Sequence, residues 1–134
     1  MNIKLLWVFL LPAFLLSCRQ SPVGPVAGNG NVPLNFFIHQ NYPNPFRDTT
    51  WIEYGVPSAG LNYTSFVSVL VFDKFHTPVR TLSYNHSHPA GTYTLIWDGR
   101  DDDYKKSPPG IYIIEMYGAS PNTFISRIMA VRSK

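Results

Sequence analysis

Asp98, Asp101, Asp102 and Asp103 are the densest group of carboxylates in the chain, and clustered carboxylates are the hard oxygen ligands that calcium takes. The calcium-loop ladder D-x-[DN]-x-[DN]-G is not met, because Arg100 breaks one phase and Lys105 the other. Aspartates that accept local backbone N–H bonds and so shape a turn account for the cluster without a metal. His86 and His88 flank Ser87, a spacing that sets two imidazoles on one side of an extended segment. Zinc needs further ligands, and His39 and His76 lie elsewhere in the chain. Exposed histidines in a polar loop are the expectation. Serine, histidine and aspartate all occur, but no nucleophile elbow, oxyanion-type glycine loop or paired catalytic carboxylates can be located. No catalytic residue, metal, cofactor or small-molecule substrate is therefore expected.

Cys18 is the only cysteine, and its setting points to covalent modification. Residues 1–17 place Lys4 ahead of an apolar run from Leu5 to Leu16, the layout of an export signal. As a helix that run rises about 18 Å, too short for a hydrocarbon core of roughly 30 Å. The stretch Leu15-Leu16-Ser17-Cys18 resembles the lipobox of bacterial lipoproteins. That resemblance implies that the signal is removed and that Cys18 is acylated and becomes the new N-terminus. A lone exported thiol has no intramolecular disulfide partner, whereas two or more acyl chains make a durable anchor.

Those residues must be positioned by a small domain. The 134 residues, 45% hydrophobic and 15% aromatic, suffice for one core. Twelve prolines and nine glycines are spread along the chain, which fits many short strands better than long helices. The net charge of +3 comes from scattered Lys and Arg with no basic stripe, so nucleic acid is not an expected partner. Residues 18–34, rich in Pro, Gly, Asn and Ser, read as a flexible tether, and the domain is set at 35–134.

Period-two alternation predicts the strands. Phe36 and Ile38 come first, then Ile52, Tyr54 and Val56, then Val67, Val69 and Val71. A weaker strand over 79–84 precedes a polar turn over 85–91. Next comes a pair, Tyr93-Leu95-Trp97 and Tyr112-Ile114-Met116, joined by a loop that Asp98-Gly99 opens and Pro108-Pro109-Gly110 closes, with Gly110 freeing φ. A last strand covers 124–131. The expected fold is all-β, an immunoglobulin-like sandwich of about seven antiparallel strands. Tyr42, Tyr54, Phe72, Tyr93, Trp97 and Tyr112 are expected in the core. Trp51, Tyr63, Phe66 and Tyr117 fall outside the inward sets and are candidates for a partner patch.

Taken in order, Phe36-x-Ile38-x-Gln40-Asn41-Tyr42-Pro43-Asn44-Pro45-Phe46, Val67-x-Val69-x-Val71-Phe72-Asp73, Trp97-Asp98-Gly99 and Gly110-Ile111-Tyr112 resemble the C-terminal sorting domain of type IX secretion cargo proteins. They also resemble the related immunoglobulin-like domain of flagellar hook-capping proteins. The resemblance implies recognition of a folded domain by an outer-membrane translocon, followed by removal by a surface sortase. The family commonly has glycine at the turn tips where this chain has His76 and Tyr104. Between the tether and Phe36 there is no span for an effector domain. The expected address is the cell envelope, either as an outer-membrane lipoprotein or at the cell surface. A lipid-anchored binding or structural module for an envelope protein or polysaccharide is the alternative.

Overall fold

The computed structural model describes residues 26–28, 32–60, 64–120 and 122–134. Residues 1–17, read above as an export signal, and Cys18 lie outside them, as does Tyr63. Among the described residues there are eight strands: β1 (Val26–Gly28), β2 (Phe37–Ile38), β3 (Thr50–Val56), β4 (Ser65–Asp73), β5 (Pro78–His88), β6 (Gly91–Trp97), β7 (Gly110–Ser120) and β8 (Asn122–Arg132). Two antiparallel sheets pack face to face, one ordered β1-β6-β3-β2 and the other β5-β4-β7-β8. The chain is thus an all-β sandwich of immunoglobulin-like character, as its alternation of apolar residues predicts.

Side chains on one strand point to opposite faces in turn, and burial follows that period. In β3, Ile52, Tyr54 and Val56 are fully buried between exposed Trp51 and Glu53. In β4, Val67, Val69 and Val71 are fully buried. Tyr112, Ile114 and Met116 of β7, Tyr93, Leu95 and Trp97 of β6, and Phe36, Phe46 and Ala130 complete the core.

The structure changes four expectations. The strands of the central pair, β6 and β7, belong to different sheets and share no hydrogen-bond ladder. They face each other across the core, with the Trp97 and Tyr112 rings 5.0 Å apart, because residues 98–109 cross from one sheet to the other. The stretch read as tether contributes β1, which pairs with β6 from Val26↔Thr94 to Gly28↔Thr92. The polar turn over 85–91 is mostly strand: β5 runs on to His88, since the start of β4 offers partners in Ser65↔His88 and Val67↔His86. Gly110 opens β7 and is not among the positive-φ residues, whereas Gly99 has φ +67°.

Candidate functional site

Several of the residues that carry the sorting-domain resemblance, Asn41 to Phe46, Asp73, Trp97 to Gly99 and Tyr112, meet at one end of the sandwich. Asn41 is buried, and its Nδ2 donates to Thr50 Oγ1 at 2.8 Å and to the Pro43 carbonyl at 3.2 Å. The peptide bonds before Pro43 and Pro45 are both cis. Asn44 lies along the free edge of β8, where Nδ2 donates to the Met129 carbonyl and Oδ1 accepts the Val131 N–H, each at 2.8 Å. Phe46 extends this contact through backbone bonds to Val131 and Ser133. Its ring packs 5.1 Å from that of Trp97.

Trp97 Nε1 donates to the Arg100 carbonyl at 2.9 Å, and the Tyr112 hydroxyl donates to the Pro108 carbonyl. Asp98 Oδ1 accepts the Arg100 N–H. A Cβ at Gly99 would lie 2.7 Å from Arg132 Nε, so the largely buried Arg132 side chain would have to shift. Asp73 accepts the N–H groups of Thr77 and Phe75, each at 2.8 Å, and the Thr77 bond is the main cause that holds its carboxyl below the ordinary value. These polar side chains bond groups of the protein itself, mostly its backbone. The end they build is a shape held by these internal bonds.

The aspartates of the 98–109 loop act in the same way. Asp101 Oδ1 accepts the Lys105 N–H at 2.8 Å. Asp102 reaches across to β5, where Oδ1 accepts the Thr81 N–H at 2.9 Å. The Arg80 guanidinium sits 4.8 Å from the Tyr104 ring centroid and donates to the Asp101 carbonyl. An open depression of about 420 Å³ beside this loop is lined by Asp73, Asp102, Lys106 and Tyr112, among others. Among the described residues, no three His, Cys, Asp or Glu side chains converge as metal ligands.

His88 corrects the reading of both β5 histidines as exposed loop residues. His86 is exposed, but His88 is 3% exposed, its ring edge-on to Tyr54 and Tyr93. Burial pushes its pKa down to about 4, and the neighbouring His86 adds to the shift. Burial likewise holds the Tyr54 hydroxyl protonated, well above the ordinary phenol range. It lies 3.3 Å from His88 Nε2, placed to donate to the neutral ring. Tyr42 also departs from expectation. It pairs with Trp51, so the two share the outer face, and Tyr42 is 77% exposed. Phe72 is buried, yet it lies on the outer face of its sheet, covered by the His76 ring stacked 4.3 Å away.

The reading from sequence missed a charged cluster centred on Glu115, the one charged residue of β7. Its side chain is fully buried on the outer side of the sheet, where it accepts hydrogen bonds from the Tyr117 hydroxyl and Arg127 Nε. His76 Nε2 lies 3.0 Å away. Desolvation raises the Glu115 pKa, but the hydrogen bonds from Tyr117, His76 and Arg127 outweigh it and hold the carboxyl below its ordinary value. His76 and Tyr104, where the resembled family has glycine, sit at φ 62° and 63°. The left-handed conformation at position 76 turns the imidazole back over Phe72 and onto Glu115. A charged residue alone in an apolar strand was the available signal.

On the other sheet, Trp51 stands directly between Tyr42 and Ile96 in register. They are 47%, 77% and 44% exposed, one aromatic and apolar row across the outer face. The sequence reading flagged Trp51 for such a patch; Phe66 and Tyr117 lie on the opposite sheet and do not join it. No protein-family model matches the chain, and no curated protein matches it in sequence.

Proposed function

We propose that this chain is a non-enzymatic, envelope-targeted sorting-type domain recognised through its folded surface by the translocon or sortase of a type IX secretion system. The observation that carries the reading is the meeting of Asn41, Asn44, Phe46, Trp97, Gly99 and Tyr112 at one end of the sandwich. Residues far apart in sequence share one structural task there, which is what a motif dispersed in fixed order would require. Recognition would then depend on shape, because these side chains bond inward. A lipid anchor on Cys18 is a second, competing address and belongs to the alternative.

The alternative, an anchored module that holds an envelope protein or polysaccharide, draws support from the row Tyr42-Trp51-Ile96. Exposed aromatic rings in line on a flat sheet face suit stacking against a partner. Intact mass spectrometry of the protein from its native envelope separates the two. Loss of the segment from about Phe36 onward, or an unmodified chain at the surface, supports sorting. A lipid-modified Cys18 on a chain that still ends at Lys134 supports the anchored module.

A further inference from the structure

An open sheet edge presents unpaired N–H and C=O groups that template further pairing, and folded proteins blunt such edges. Three of the four edges here are blunted. Strands β1 and β2 are only 3 and 2 residues long. The pairing of β5 with β4 shifts register three times, Asn85 of β5 sits at φ 44°, and Asp102 bonds the outward groups of Val79 and Thr81. The fourth edge, β8, is covered only toward its C-terminal end, where Gln40, Asn44 and Phe46 bond Met129 and Val131.

Pairing of β8 with β7 runs from Asn122 to Arg132 with no shift of register. The bonds to Met129 and Val131 fix the odd-numbered residues as those whose backbone faces away from β7. Thr123, Ile125 and Arg127 are therefore outward-facing, and among the described residues no hydrogen bond covers their backbone. Ile125 is 54% exposed. Arg127 leaves the edge open because Glu115 holds its guanidinium over the sheet face.

We propose that β8 pairs antiparallel with β8 of a second copy of this chain, Ile125 against Ile125 on a two-fold axis. In this register Thr123 and Arg127 of each copy face Arg127 and Thr123 of the other, and every outward N–H and C=O of the three residues gains a partner. An apolar pair lies on the axis, and each arginine lies across from a threonine. A register centred on Arg127 would oppose two like charges and run into the Asn44 cover. The product joins two four-stranded sheets into one continuous sheet.

The test uses the full chain in its native envelope. Facing Cα atoms in a hydrogen-bonded antiparallel pair lie about 5.5 Å apart, within disulfide range. Mild oxidation of Ile125→Cys is expected to give a reductant-sensitive dimer. Thr123→Cys, about 14 Å from its counterpart in this register, is expected to give none, as is the wild type with its single cysteine. The mass of the solubilised wild-type chain is expected to fall about twofold in Ile125→Lys, which keeps the fold because the site is exposed and sets like charges on the axis. A monomeric wild type, equal cross-linking from both cysteine variants, or capture of Ile125→Cys by a different protein would overturn the proposal.

Discussion

Burial against Tyr54 and Tyr93 pushes the His88 pKa from its ordinary 6.5 down to about 4. The folded state therefore disfavours the protonated ring. The contribution of a neutral His88 is complete above pH 6.5 and declines as pH falls from 6.5 toward 4, by of order 3 kcal/mol. Denaturant midpoints measured across that window should fall with acidification in the wild type and stay flatter in His88→Gln, which keeps a polar group but cannot titrate. Gly99 tests a different constraint at the same scale. Its φ of +67° and the closeness of Arg132 Nε leave a side chain strained in both conformation and space, so Gly99→Ala should lose about 1–3 kcal/mol in equilibrium unfolding.

Among the elements, the loop over 41–46 closes the C-terminal half of the β8 edge. Asn44→Ala leaves the Val131 N–H and the Met129 carbonyl without their side-chain partners. The expected loss is about 1–2 kcal/mol, with faster hydrogen exchange at Val131 and little change at Ile114 in the core. Strand existence was legible wherever apolar residues alternate, as in β3, β4, β6 and β7. The end of β5 beyond Tyr84 was not, because Asn85, His86 and Ser87 are all exposed and register shifts break their period. Pairing with β4 makes them strand, and sequence periodicity carries no record of a partner's demand. The sheet assignment of β6 and β7 was hidden for a related reason, since proximity in sequence does not reveal a crossover. Asn41, Phe46, Trp97 and Tyr112 were legible as a motif, while their gathering at one end required the topology. The Glu115 cluster joins residues from a turn, β7 and β8, and no local spacing links them.

For the whole molecule, two four-stranded sheets close on a buried aromatic seam and present surface shape on either side. Its outer faces differ, one bearing the Tyr42-Trp51-Ile96 row and the other the Glu115 cluster and the β8 edge. The central claim is that a type IX translocon recognises this folded shape. Protease accessibility of the full chain on intact cells, with and without a functional translocon, tests it most directly. The account predicts surface cleavage only when the translocon works, and retention inside the outer membrane when it does not. Equal accessibility in both backgrounds would contradict it.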